Sequence, residues 1–496
     1  MQLLIGDLLA DAAAAKPAGT AATLGGRSAT FSELHLGANR IANALHGMGV
    51  RRSNIVLWWS SPSISSMAGF AATARLGAVF VSLNPSLSND ELAGILEYLE
   101  PRIVVTGEGV QPEDRSFSDI PSVAVERLLE SGSASAPDAG SGLDDSSPHV
   151  IYLTSGTTGA PKGVEVSHRA SWLRSFPGGS TFATGLRGDG GILASFPLFH
   201  YGGWHFVLEA WHHRCAFHVC ERYGGDALLE TAARRRPSAM YCIPAVWERV
   251  LGALPAGSDA LASVLHADTG TSAASQNLLD GLKAAMPQAT RSVLYGSSEG
   301  GHQTTLFERQ IHDHPGSVGR TAPPGLIALS QQGEILYRGP TVMNGYHRLP
   351  DQTASALRDG WYHTGDVGMI DGDGFLYITG RLREVIRTGG ESVAPSEVEA
   401  ALADVALADV AGLVDVAVVG IPDDAWGEIV VAAVVMTPGE EPPGVANLRG
   451  KLDGSLAAFK HPRVVVELPA IPRTAATRQV QRTLLRDEVL RRLPPS

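Results

Sequence analysis

The chain has 496 residues, 44% of them hydrophobic and 18% charged, with a formal net charge of −12. Such a length and balance support more than one domain around a large core and exclude a disordered chain. The negative charge argues against nucleic acid as the main partner, so an anionic substrate has to be held by a local positive site.

The N-terminus, Met1 to Asp7, has no basic stretch, and an acid interrupts its apolar run, so no signal peptide is expected. No run of about 18 apolar residues occurs, which predicts no membrane span and a cytoplasmic protein. Thr30-Phe31-Ser32-Glu33 has the form of a capping box, and Leu34, Ala38, Ile41, Ala42 and Leu45 follow at helical spacing. Ile55 to Trp59 and Ala78 to Val81 read as buried strands, and this alternation predicts doubly wound parallel sheets. Residues 131–147, rich in Ser, Gly, Ala and Asp, read as a flexible linker.

Beyond it, Val150-Ile151-Tyr152-Leu153 reads as a strand that runs straight into Thr154-Ser155-Gly156-Thr157-Thr158-Gly159-Ala160-Pro161-Lys162-Gly163. Glycines allow close backbone approach, hydroxyls and amides can hold phosphate oxygens, and Lys162 adds a charge. The Walker A spacing is absent. His212, His213, Cys215, His218 and Cys220 crowd together, but Cys-Ala-Phe-His-Val-Cys alternates like a strand and no second ligand pair has zinc-finger spacing. The only cysteines are Cys215, Cys220 and Cys242, which form no disulfide framework and suit a reducing compartment. A second αβ series runs to about residue 300, short strands and Gly-rich turns follow from Gly333, and a compact αβ region begins near Gly380.

Three further stations matter together: Tyr295-Gly296-Ser297-Ser298-Glu299, Tyr362-His363-Thr364-Gly365-Asp366 read as an acid after a tight turn, and Gly380-Arg381-Leu382-Arg383-Glu384. In this order, behind that loop, they resemble the adenylate-forming superfamily of acyl- and aryl-CoA synthetases, nonribosomal adenylation domains and luciferases. Leu76 to Pro85, Phe196-Pro197-Leu198-Phe199-His200 and Ile421 to Glu428 extend the resemblance over nearly the whole chain. It implies an α/β fold: a large N-terminal domain, 1–382, with two doubly wound sheet subdomains and a small barrel, and a smaller mobile C-terminal domain, 383–496, hinged at Arg383.

The resemblance also implies roles. Thr154, Ser155, Gly156, Thr157, Thr158, Gly159 and Lys162 would hold the ATP phosphates. Tyr295 would stack on adenine, with Gly296 in the nucleotide site. Ser298 would touch the α-phosphate, and Glu299 would ligate Mg²⁺. Asp366 would accept the ribose hydroxyls, with Arg381 near ribose and phosphate. His200 would sit beside the carboxylate being activated, in a substrate pocket with Trp204, Gly270, Thr271, Gly300 and His302. Polar groups there favour a small aromatic or polar acid as substrate. Coenzyme A, or a carrier-protein thiol, is the implied acceptor.

Family members usually end in Pro-Arg-Thr-x-x-Gly-Lys-x-x-Arg, whose lysine bridges the substrate carboxylate and the α-phosphate. Here the stretch is Pro472-Arg473-Thr474-Ala475-Ala476-Thr477-Arg478-Gln479-Val480-Gln481-Arg482. Aligned from the left, the lysine position holds Arg478; aligned from the right, it holds Gln479. Three readings follow: an AMP-forming acid–thiol ligase with a substituted tail, a diazotase-like relative in secondary metabolism that activates nitrite for an aryl amine, and a non-catalytic nucleotide-binding protein.

Overall fold

A computed structural model describes residues 2–493 except 111–119, 138–141, 155–161, 177–185, 187–188, 223, 390, 411, 424, 454–455 and 475–478. Backbone contacts divide the chain into two compact units. One comprises Met1–Ile327 and Tyr337–Tyr362, the other Ala328–Leu336 and His363–Ser496.

In the first unit, helices and strands alternate as the sequence predicts. Thr30 caps the helix Phe31–Gly47 through its hydroxyl while the Glu33 carboxylate returns to the Thr30 backbone, a complete capping box. Ile55–Trp59 is buried throughout and lies between the parallel strands Val79–Leu83 and Ile103–Thr106. Burial on both faces explains its uniformly apolar text. These strands belong to a sheet with seven described strands, running Gly345–Tyr346, Lys162–Ser167, Pro148–Thr154, Val79–Leu83, Ile55–Trp59, Ile103–Thr106 and Ser122–Ala124 in spatial order. A second sheet, with nine described strands, carries His266–Gly270, Thr290–Ser297 and Gly301–Phe307 side by side.

Aromatic side chains fill the core of this unit. Phe70 stacks on Trp204 at 4.2 Å between ring centroids and meets Phe80 edge-on at 5.2 Å. The stretch expected as a flexible linker is tied down where it is described. The carbonyls of Ser133, Ala134 and Ser135 accept from the Asn43 and Asn39 amides, and Asp145 is buried, accepting from the Leu3 amide. Paired polar groups hold these described parts of the low-complexity text. Cys-Ala-Phe-His-Val-Cys contains the strand Phe217–Val219, where His218 shares hydrogen bonds with Thr23 and the Gly190 carbonyl.

The second unit is built on the long hairpin Leu413–Asp423 and Gly427–Met436, flanked by Ile386–Thr388 and Val464–Glu467. Its alternation is two-sided. Val416, Val418, Val430, Ala432 and Val434 enter one apolar cluster, while Ala417, Val419, Ile421, Val431 and Ala433 enter another. The helix Val445–Leu452 contributes Leu448 and Leu452 to the first cluster, and Arg482–Arg492 contributes Leu485 and Val489 to the second. Short strands do follow Gly333: Leu376–Arg381 pairs antiparallel with the part of Trp361–Ile370 from Asp366 onward. No helix among the described residues is long and apolar enough to cross a membrane.

Candidate active site

The loop expected to hold phosphates is closed at its base by Thr154 paired with Lys162 across the hairpin of Pro148–Thr154 and Lys162–Ser167. Ser155, Gly156, Thr157, Thr158 and Gly159 lie outside the described residues. The returning strand is pinned by groups far away in sequence. Tyr98 accepts the Gly163 amide at 3.1 Å and donates to the His347 carbonyl at 2.7 Å, and Glu165 meets His347 Nδ1 at 2.7 Å. A Cβ at Gly163 would come within 2.7 Å of the Ile151 side chain, so only glycine fits there.

Tyr346 pairs with Val164 across this strand, which carries its ring beside Lys162. The Lys162 ammonium lies 5.1 Å from the ring centroid, within cation–π range. The Tyr346 phenol donates a 2.9 Å hydrogen bond to Glu299 Oε1. Lys162 and Glu299, singled out separately in the sequence, are thus joined through a tyrosine the sequence reading missed.

Tyr295 lies on the strand Thr290–Ser297 and is buried; Ser298, Glu299 and Gly300 form the turn before Gly301–Phe307. Gly296 has no room for a side chain, since a Cβ would meet the Gly301 carbonyl at 2.2 Å. Arg174 holds this turn from below. Its guanidinium donates to the carbonyls of Ser298, Glu299 and Thr341 at 2.7–2.8 Å, and it is only 3% exposed. Ser297 donates to the Tyr362 hydroxyl at 3.4 Å and accepts the Gly300 amide at 3.0 Å. Sequence reasoning missed Arg174 as well.

His200 caps the helix Tyr201–His213. Its Nδ1 accepts the Gly202 amide at 3.1 Å, which assigns the proton to Nε2, and its ring stacks on Phe196 at 4.9 Å. Burial lowers its pKa to about 4, so it is neutral near pH 7. Trp204 corrects the expected pocket: fully buried and stacked on Phe70, it is a core residue. Four residues along the helix from His200, its side chain turns inward with Trp211. Gly270 packs under the Leu294 carbonyl, where a Cβ would come within 2.2 Å. Thr271 sits at φ 77°, unusual for a β-branched residue, with its hydroxyl 3.3 Å from the Tyr241 phenol.

His302 shares hydrogen bonds with Thr305 Oγ1 at 2.8 Å and the Thr304 carbonyl at 2.9 Å. With Arg174, Phe176, Thr305, Phe307 and Arg309 it lines a cavity of about 240 Å³. His302 is the one expected pocket residue among the described lining of that cavity.

In the second unit, Asp366 is buried and pairs with Arg381 at 2.7 Å across the strands Trp361–Ile370 and Leu376–Arg381. The expected tight turn before Asp366 is instead part of a strand, with Gly365 at φ 72° where the chain needs a left-handed residue. Glu334 supports it by accepting the Gly365 amide at 3.1 Å and meeting His363 at 2.8 Å. Arg383 is exposed, in the turn that follows Arg381. In the tail, Thr474 and Gln479 pair through their backbones at 2.8 Å, and Arg482 is held by Glu384 and Glu399. Arg478 lies outside the described residues.

Comparison with known proteins matches residues 9–347 to the family model described as AMP-binding enzyme, and 397–478 to its C-terminal domain. The indoleacetate–CoA ligase of Aromatoleum aromaticum is 31% identical over 491 residues, covering 93% of each chain. A 2-succinylbenzoate–CoA ligase of Listeria monocytogenes is 27% identical over 474 residues, covering 95% of this chain and 97% of its own. Among solved structures, ATP-bound MatB from Rhodopseudomonas palustris superposes with a TM-score of 0.85 at 25% identity, covering 98% of this chain and 99% of that one.

Proposed function

We propose that this chain, which belongs to the AMP-binding enzyme family, uses ATP to activate a carboxylic acid as its acyl-adenylate and passes the acyl group to coenzyme A. The observation that carries the reading is the approach of Lys162 and Glu299 to the two ends of Tyr346, with one cation, one carboxylate and one phenol in contact range. A lysine at the mouth of a glycine- and hydroxyl-rich loop is suited to polyphosphate. A carboxylate is the hard oxygen donor that Mg²⁺ prefers. Bound there, Mg²⁺ would neutralise phosphate charge during displacement.

The chain's own residues divide the work. Lys162 neutralises the outer phosphates, and Tyr346 fixes the Glu299 carboxylate. Arg174 holds the Ser298–Glu299 turn rigid by occupying its carbonyls. His200, neutral and protonated on Nε2, has a donor to offer the acid's carboxylate. A carboxylate oxygen then attacks the α-phosphorus and pyrophosphate leaves; a thiolate attacks the acyl carbon and AMP leaves. Tyr295, Gly296, Asp366 and Arg381 are proposed for the adenosine moiety, and Arg383 as the hinge between half-reactions.

An acid–thiol ligase is favoured over nitrite activation because both relatives named above are ligases that join aromatic acids to coenzyme A. Their names also support an aromatic acid as substrate. The test is acid-dependent release of AMP and pyrophosphate by the purified chain with ATP and Mg²⁺. Lys162→Ala and Glu299→Ala should each lower it strongly; unchanged rates in both would sink the site assignment.

A further inference from the structure

The cavity of about 240 Å³ has an electrostatic character that the adenylation reading does not require. Three of its lining residues, Arg174, Arg309 and Arg320, are arginines, and no aspartate or glutamate is found among its described lining residues. In a chain with a net charge of −12, such a cavity is a local positive site.

Its two ends differ. At the inner end, Arg174 is occupied by the carbonyls of Ser298, Glu299 and Thr341, and His302 is engaged with Thr304 and Thr305. This end adjoins the Ser298–Gly300 turn. Along the way, Leu173, Phe176 and Phe307 supply apolar walls. At the outer end, Arg309 is exposed, with Gln310 beside it. Thr305 and Phe307 stand on one face of a strand that rises about 3.4 Å per residue, so Phe307 lies about 7 Å along it from Thr305, which the His302 ring reaches. The site is apolar in the middle and cationic at its exposed mouth.

We infer that this cavity receives an elongated carboxylic acid whose far end carries a second anionic group, and that Arg309 reads that group. The inference rests on the proposed adenylation for which carboxylate reacts, but binding to the cavity can be read without it. An apolar stem satisfies the walls at Phe176 and Phe307. A terminal carboxylate meets the guanidinium at the mouth, where a plain alkyl or aryl end would gain nothing from it. A charge at a solvent-exposed rim gives selectivity more than raw affinity.

The test uses matched acids, decanoate and 1,10-decanedioate, with the full chain, ATP and Mg²⁺. The ratio of kcat/KM for the diacid over the monoacid is compared between the native chain and Arg309→Glu. A ratio above one that falls about ten-fold on charge reversal is the expected result. An equal or lower ratio in the native chain, or a ratio indifferent to the substitution, overturns the inference. Should neither acid release pyrophosphate, the adenylation of such acids fails, and calorimetric binding of 1,10-decanedioate decides the cavity separately. Binding that is weakened by Arg309→Glu and by added salt supports the cavity assignment; absent binding, or binding unchanged by the substitution, overturns it.

Discussion

The phenol of Tyr346 donates to Glu299 at 2.9 Å while its ring lies 5.1 Å from the Lys162 ammonium. One side chain therefore fixes a carboxylate and flanks a cation drawn from two distant segments. Tyr346→Phe keeps the ring and removes only the donor. A hydrogen bond to a charged group contributes about 1.5–3 kcal/mol, so turnover should fall roughly ten- to hundred-fold. The Mg²⁺ concentration for half-maximal rate should rise with it. An unchanged Mg²⁺ dependence would separate Tyr346 from the carboxylate proposed for Mg²⁺.

Arg174 is expected to matter for stability and rate together. Arg174→Lys keeps the charge but loses the planar fork that reaches three carbonyls, leaving buried acceptors without their donors. A loss of about 3 kcal/mol is expected from such orphaned acceptors. Calorimetry should show a lower Tm, and the surviving fold should turn over more slowly, because the Ser298–Glu299 turn is no longer held.

Stability should fall in mild acid. His149 and His168 stack at 4.7 Å between ring centroids, both fully buried. Burial pushes the His168 pKa down to about 4 and that of His149 well below its usual value. His168 Nδ1 accepts the Ile5 amide, an acceptor that protonation would destroy. Below pH ~6.5 the unfolded chain binds protons that the folded chain refuses, so stability is present at pH 7 and drains away as the pH falls. For His168 the loss at pH 5 is about 2 kcal/mol as an upper figure. Melting curves from pH 7.5 to 5 should show a falling Tm, and a flat profile would contradict it.

The tail tests which residue stands in for the usual lysine. If Arg478 supplies the charge, Arg478→Ala slows the adenylation half-reaction by about two orders of magnitude, as loss of an electrostatic stabiliser does elsewhere. Acid-dependent exchange of pyrophosphate into ATP measures that step alone. A larger effect from Gln479→Ala would favour the alignment from the right.

What could be read from the sequence was local. The Thr30 cap, the strand Ile55–Trp59 and the alternation of Val416 to Ile421 each follow from neighbours within a few residues. The stations proposed for the site are likewise each contained in a short stretch of text. Their support was not: Tyr346 and Glu299 are 47 residues apart, and Arg174 reaches carbonyls 124 to 167 residues away. Trp204 misled because an aromatic near His200 suits a pocket wall or a core equally well, and only the rotation of the helix decides. Tyr362 to Asp366 misled because a glycine in a strand reads like a turn.

The most direct measurement follows both half-reactions in one tube: purified chain, ATP, Mg²⁺ and a panel of aromatic and elongated acids, with products resolved before and after adding coenzyme A. Acid-dependent pyrophosphate and an acyl-adenylate are expected first, then AMP and an acyl thioester once the thiol is present. ATP bound tightly but left intact with every acid would contradict this.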